Sequence, residues 1–148
     1  MFLFQSAFYT LRRYADFSGR ASRSEFWCFF AFVIIVQAVT GFVGVLFGFG
    51  PALSGFVGLL LIIPQIAVAV RRLHDFGRSG RELFVPCVML AGGPLVYSFG
   101  GILPRIVALG YAGLTLLVFA NLLLLFLKEG KKVPNRYGAS PAAFSFAR

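Results

Sequence analysis

The sequence contains few residues that could support catalytic or metal chemistry. Of its 148 residues, five are Asp or Glu, two are Cys and one is His. Cys28 and Cys87 are far apart in the chain and make no metal-ligand set, so we interpret them as small apolar packing residues. No cofactor and no metal are expected.

Charge is also missing from long parts of the chain. The 45 residues from Phe26 to Val70 carry none, and 59% of all residues are hydrophobic. A helix needs about 20 apolar residues to cross the hydrocarbon core of a bilayer, so this composition predicts a membrane protein. Four segments are long enough to span: Phe26 to Phe47, Ala52 to Val70, Leu83 to Leu103 and Ile106 to Leu127.

The positive charges predict the orientation of these spans. A net charge of +9 would suggest nucleic-acid binding in a soluble protein, but here 13 of the 14 basic residues fall before the first span, between the second and third, or after the fourth. Only Arg105 lies on the other side. Because cytoplasmic segments carry the excess of Lys and Arg, both termini are predicted to be cytoplasmic, and no nucleic-acid partner is expected.

The predicted fold is therefore an all-α membrane protein with four transmembrane helices arranged as two hairpins. Phe4, Phe8 and Leu11 share one helical face, which favours a short interfacial helix at the N-terminus. We divide the single domain, 1–148, into a cytoplasmic or interfacial segment 1–25, a first hairpin 26–70, a basic cytoplasmic loop 71–82, a second hairpin 83–127 and a cytoplasmic tail 128–148.

Two cytoplasmic stretches share the pattern RRxxDF: 12–17 and 71–76. Each is followed by a Gly-Arg pair and then by Ser-x-x-Glu, at Ser22 to Glu25 and at Ser79 to Glu82. That spacing predicts a capping box, in which the Ser side chain accepts from the N–H three residues on and Glu reaches back. Duplication of one hairpin around a pseudo-twofold axis would explain both copies, and chance similarity is the alternative.

Three stretches together resemble a known family. DFSGRASRSEFW at 16–27, RRLHDFGRSG at 71–80 and NRYG at 135–138 are similar to the small bacterial inner-membrane proteins called "domain of unknown function 805". The resemblance implies a multi-spanning protein of the bacterial plasma membrane, and it implies no particular activity. The chain departs from the family pattern at Arg81 and Glu82, where relatives usually carry Trp, and at Ser140, where they carry an acidic residue.

The charged residues of these stretches are the candidate site. In one interpretation they only orient and cap the helices. In another they bind an anionic lipid headgroup, or an acidic segment of a protein partner or second copy, because guanidinium groups bind phosphate in a bidentate manner. The candidate anion-binding residues are Arg20, Arg23, Arg71, Arg72, Arg78 and Arg136, and the candidate polar cluster is Asp16, Glu25, His74, Asp75 and Asn135.

Two further hypotheses have less support in the sequence. His74, oriented by Asp16 or Asp75, could be a general base in an enzyme acting on a phospholipid or phosphorylated substrate, although no catalytic motif is present. The second hypothesis is a small oligomeric transporter or pore. Ion-coupled carriers usually have an ionisable residue deep within a membrane span, and the predicted spans of this chain have none there. We expect the segments 16–23 and 71–78 to meet at the cytoplasmic end with the NRYG turn beneath them. His74 would then lie beside Asp16 and Asp75.

Overall fold

The computed structural model describes residues 2–98 and 101–141. Within these ranges the chain is all-helical. Residue 99 of the predicted third span, residue 100 at the start of the predicted outer turn, and 142–148 of the tail with Arg148 lie outside the described residues. The helices are α1 (Phe2–Arg12), α2 (Arg23–Leu46), α3 (Ala52–Asp75), α4 (Phe84–Ser98) and α5 (Ile102–Leu127), with a 3₁₀ turn at Gly80–Leu83 before α4.

Three of these helices, α2, α3 and α5, are long and apolar enough to cross a membrane. The predicted third span, Leu83 to Leu103, is wrong at its ends. Its α-helix begins at Phe84 and reaches Ser98, so α4 has 15 residues. The predicted turn Gly100 to Arg105 is also too long, since α5 already begins at Ile102. Pro104 lies in the first turn of α5, where a missing N–H costs nothing, so proline favours the helix there.

The first hairpin packs α2 against α3 around a small apolar core. Phe29, Val33, Leu61 and Val68 are buried between the two helices. Helix α1 lies against this hairpin with Ala7 buried, while Phe4 and Phe8 are 64% and 59% exposed. The predicted apolar face of α1 is therefore only partly free, because Phe4 and Phe8 are exposed while Leu11 packs against the core.

The proline of α3 leaves a gap in the hydrogen bonding of that helix, and Tyr14 fills it. Pro64 has no N–H to donate to the carbonyl of Leu60, one turn earlier. The Tyr14 hydroxyl donates to that carbonyl. A buried or lipid-exposed carbonyl without a donor is costly. The segment after α1 is therefore tied to α3 at the site of the proline.

Helix α3 continues through Asp75, so the predicted loop 71–82 is wrong in its first five residues. Gly77 ends the helix, with a φ of 76°. Its N–H donates to the carbonyl of His74 at 2.9 Å, and that of Arg78 to Leu73 at 3.1 Å. These two bonds form a Schellman motif, which needs the left-handed conformation that glycine adopts freely. The basic residues did not end the helix, since cations are stabilising near a helix C-terminus.

Of the two predicted capping boxes, the first is formed in part and the second is not formed. Ser22 is the N-cap of α2 and accepts from the N–H of Glu25 at 3.2 Å, as predicted. The Glu25 side chain, however, pairs with Arg71. Ser79 caps the 3₁₀ turn and accepts from the N–H of Arg81 at 3.3 Å. The prediction that an α-helix begins beside Ser79 is therefore wrong.

The second hairpin joins α4 to α5. The Tyr111 hydroxyl donates to the carbonyl of Met89 at 2.7 Å. Phe126, near the end of α5, is 2% exposed and packs edge-on against Phe26 with ring centroids 4.6 Å apart. The two hairpins thus meet at the end of the bundle where α2 begins and α3 and α5 end.

Candidate functional site

A buried carboxylate lies at the end where the hairpins meet. Asp75 is 2% exposed. Its Oδ1 accepts from Arg20, at 2.9 Å from Nε and 2.6 Å from Nη2, and its Oδ2 accepts from Arg72 Nη1 at 2.6 Å. Each oxygen therefore has its own guanidinium. Two guanidinium cations share one carboxylate, so one net positive charge remains, and the remaining buried N–H groups need further acceptors.

Backbone carbonyls of the C-terminal segment supply those acceptors. Arg20 Nη1 donates to the carbonyl of Val133 at 3.0 Å and to that of Gly138 at 3.3 Å. Arg72 Nη2 donates to the carbonyl of Phe126 at 3.0 Å. The carbonyls at the end of a helix carry partial negative charge, so they stabilise a buried cation. The two arginines consequently tie the end of α5 and the tail to the end of α3.

His74 and the NRYG turn complete this arrangement. His74 Nδ1 lies 3.0 Å from the carbonyl of Gly19, and its ring stacks on Tyr137 with centroids 3.7 Å apart and an angle of 4° between planes. Because a carbonyl only accepts, Nδ1 is assigned the proton. Asn135 Nδ2 donates to the carbonyl of His74 at 2.8 Å. The prediction that the NRYG turn folds back beneath the central motif is confirmed.

We call this set the Asp75 cluster and define it as Arg20, Arg72, His74, Asp75 and Asn135. Gly130 closes one side of it. A Cβ added to Gly130 would lie 1.5 Å from Asp75 Oδ2. The N–H of Lys131 also donates to the carbonyl of Asp75 at 3.3 Å. The tail thus approaches the carboxylate so closely that only glycine fits at position 130.

A second buried ion pair lies beside the cluster. Arg71 Nη1 is 2.8 Å from Glu25 Oε1, and the two side chains are 0% and 5% exposed. The contact is close, but the two groups are not aligned for a hydrogen bond. The carbonyl of Arg71 accepts from the N–H of Ala21 at 3.0 Å. The pair and this backbone bond hold the start of α2 against the end of α3.

Asp16 does not join the Asp75 cluster, although it occupies the same position in the RRxxDF pattern. It accepts from the Ser18 hydroxyl at 2.5 Å and from the N–H of Ser18 at 2.9 Å, and it pairs with Arg13. The Ser18 bonds, followed by Arg13, hold the pKa of Asp16 well below its usual range. The expectation that His74 lies beside both carboxylates is therefore wrong, since Asp16 is satisfied locally.

The six candidate anion-binding arginines separate into two groups. Arg20, Arg71 and Arg72 are at most 7% exposed, and their charges face the buried acids. The other three are exposed. Arg23 pairs with Glu129 at 3.3 Å, Arg78 pairs with Glu82 at 3.1 Å, and Arg136 lies over the Tyr137 ring and donates to the carbonyl of Gly77. The structure does not bring all six to one common surface.

Residue types do not identify the backbone partners of the cluster. The carbonyls of Phe126, Val133 and Gly138 take part in the cluster, but every residue has a carbonyl, so no residue type marks them. From the sequence, Gly130 is expected only to end a helix, not to contact Asp75. Chemically, the cluster is a set of paired charges, in which the buried Arg72 Nε has no hydrogen-bond partner. Within the described ranges, no three His, Cys, Asp or Glu side chains come close enough together to hold a metal ion.

Comparison with known proteins places the chain among bacterial membrane proteins. The family model "Protein of unknown function (DUF805)" matches residues 14–139. "Inner membrane protein YhaI" of Escherichia coli strain K12 is 34% identical over 132 residues, which cover 88% of this chain and 90% of the relative. "Inner membrane protein YhaH" of the same strain is 39% identical over 74 residues, covering 47% of this chain and 61% of the relative. No solved structure gives a significant match.

These matches agree with the helices described above. The family match includes every residue of the Asp75 cluster. The three long apolar helices and the inner-membrane relatives indicate a protein that crosses the inner membrane several times. The chain belongs to the DUF805 family of inner-membrane proteins.

Proposed function

We propose that this chain is a non-enzymatic module that crosses the inner membrane four times, has both termini in the cytoplasm, and binds anionic phospholipid headgroups with an exposed basic surface. We call this surface the basic rim. It consists of the exposed basic side chains at the end of the bundle that carries the Asp75 cluster: Arg12, Arg23, Arg78, Arg81, Lys128, Lys131, Lys132 and Arg136.

Helix lengths and the distribution of charge together support the four crossings. At 1.5 Å per residue α4 is about 22 Å long, which is shorter than the roughly 30 Å hydrocarbon core. A short span is accommodated by local thinning of the bilayer. The basic rim and the Asp75 cluster lie at one end of the bundle. The positive-inside rule therefore supports a cytoplasmic position for this end.

This topology predicts which engineered cysteines an impermeant thiol reagent reaches in intact cells. In a background carrying Cys28→Ala and Cys87→Ala, we expect Phe49→Cys, in the outer turn of the first hairpin, to be labelled from outside. We expect Ser140→Cys to be labelled only after the membrane is permeabilised. Labelling of position 140 in intact cells would contradict the four-span proposal.

The observation that carries the headgroup proposal is the separation of buried from exposed charge. The buried arginines already have carboxylate or carbonyl partners. The rim, by contrast, has eight exposed cations and only two exposed acids, Glu82 and Glu129. Exposed ion pairs such as Arg23 with Glu129 are weak, so these arginines can exchange partners. Each cation near an anionic leaflet contributes about 1 kcal/mol to attraction.

Stability in mixed micelles tests this proposal. We expect phosphatidylglycerol to raise the Tm of the purified protein more than phosphatidylcholine does, because a ligand that binds the folded state stabilises it. High salt should reduce the difference, since the rim is exposed. The variant Arg23→Gln/Lys132→Gln/Arg136→Gln should lose part of it, because it removes three of the eight rim cations. Equal shifts from the two lipids for the unaltered chain would rule out headgroup binding by the rim.

A further inference from the structure

We propose that a groove between Arg78 and the last turns of α5 holds one anionic phospholipid of the inner leaflet. This inference rests on the proposed headgroup binding and gives it a specific place. The groove has a volume of about 500 Å³ and is open on one side. Its lining residues are Arg78, Asn121, Leu124, Leu125, Leu127 and Lys128.

The walls of the groove combine an apolar and a charged part. Leu124 and Leu127 are 60% and 52% exposed, so they present a surface for an acyl chain at the level of the membrane. Arg78 and Lys128 lie where α3 has ended and α5 ends, so their charges are at the membrane surface. A groove with leucines on one part and cations on the other matches the amphipathic shape of a phospholipid.

Asn121 places a polar side chain in the apolar part of this groove. It is exposed on the surface of α5, seven positions before Lys128 and thus about 10 Å deeper along the helix. None of the described residues makes a hydrogen bond with its side chain. An amide facing hydrocarbon with no partner is costly. The ester carbonyl of a lipid chain in the groove can accept from it.

The cations of the groove are only weakly engaged within the protein. Arg78 Nη1 contacts Glu82 at 3.1 Å, but these side chains are 49% and 43% exposed. Lys128 makes no ion pair among the residues that the structure describes. A phosphodiester can therefore accept from Lys128 and compete with Glu82 for Arg78, which binds phosphate in a bidentate manner. One phosphate between two cations specifies an anionic lipid, because a zwitterionic headgroup also brings its own cation.

Lipid titration followed by native mass spectrometry tests the site. Delipidated protein would be titrated with phosphatidylglycerol and, separately, with phosphatidylcholine. We expect one phosphatidylglycerol to bind before the others. Arg78→Gln/Lys128→Gln should weaken this first binding step by on the order of tenfold. The control Arg12→Gln/Lys132→Gln removes the same charge outside the groove and should leave the first step nearly unchanged.

Asn121→Leu distinguishes lipid binding in the groove from general electrostatic attraction to the rim, because it removes no charge. We expect it to weaken the first binding step and to leave the later ones unaltered. If phosphatidylglycerol binds but the first binding step is the same in all variants, the groove proposal is wrong and the rim proposal stands. If phosphatidylglycerol binds no better than phosphatidylcholine, the rim proposal fails as well. The unaltered protein could instead form a dimer that retains no lipid and that Asn121→Leu dissociates. In that case the occupant of the groove is a second copy of the chain and the lipid proposal is wrong.

Discussion

Asp75→Asn should unfold the protein at a clearly lower temperature than the unaltered chain. The substitution keeps the shape of the side chain but removes the only carboxylate that Arg20 and Arg72 share. Two buried guanidinium groups would then face each other with a neutral amide between them. Removing one partner of a buried ion pair costs about 3–5 kcal/mol. Thermal unfolding of the purified variant in detergent measures the effect.

Asp16→Asn is the matched control for this experiment. It makes the same chemical change at the same position of the RRxxDF pattern, but the Arg13–Asp16 pair is about one third exposed. Exposed pairs contribute about 0–1 kcal/mol, so the Tm should change little. A similar small loss for both variants would mean that the Asp75 cluster does not stabilise the fold.

Gly130→Ala should strongly destabilise the folded protein. The new Cβ would lie 1.5 Å from Asp75 Oδ2 and 2.3 Å from its Cγ. The carboxylate cannot retreat, because Arg20 and Arg72 hold its two oxygens. Either the tail moves away and releases those arginines, or the ion pairs break. The cost should approach that of losing the cluster, about 3 kcal/mol or more.

Gly110→Ala, in the middle of α5, is the control for this variant. A Cβ there meets nothing within 4 Å. Alanine is favoured over glycine in a helix by about 1 kcal/mol, so this variant should be as stable as the unaltered chain or slightly more stable. Both Tm values can be measured in the same detergent. Gly130→Ala with an unaltered Tm would show that the tail does not pack against Asp75 in the folded protein.

Much of the fold could be predicted from the sequence because its patterns have direct physical causes. The uncharged runs mark the long helices, and Ser22 marks the start of α2, since its hydroxyl accepts from Glu25. The meeting of segments 16–23 and 71–78 followed from their shared pattern. The end of α3 could not be read in this way. Hydropathy stops at Val70, but the helix continues to Asp75 because its arginines find partners on other segments.

The roles within the site were harder to predict than its location. Asp16 and Asp75 have similar neighbours in sequence, but only Asp75 lies where two hairpins meet, and this depends on tertiary packing. The sequence also suggested that Arg20 and Arg72 were available to a ligand. Their main partners besides Asp75 are backbone carbonyls, which leave no trace in residue type. The Tyr14 bond to Leu60 was missed for the same reason.

The composition of the Asp75 cluster has a consequence for synthesis of the chain. Its members come from the segment before α2, the end of α3 and the segment after α5. The ribosome releases these parts in that order, and Gly138, whose carbonyl accepts from Arg20, emerges after all five helices. During membrane insertion, Arg20 and Arg72 of the first hairpin therefore lack their carbonyl acceptors from α5 and the tail until those segments have been synthesised. Only a chain that reaches Gly138 can supply all of these carbonyl acceptors, so a chain terminated before that residue would expose the charged end to the proteases of the cell.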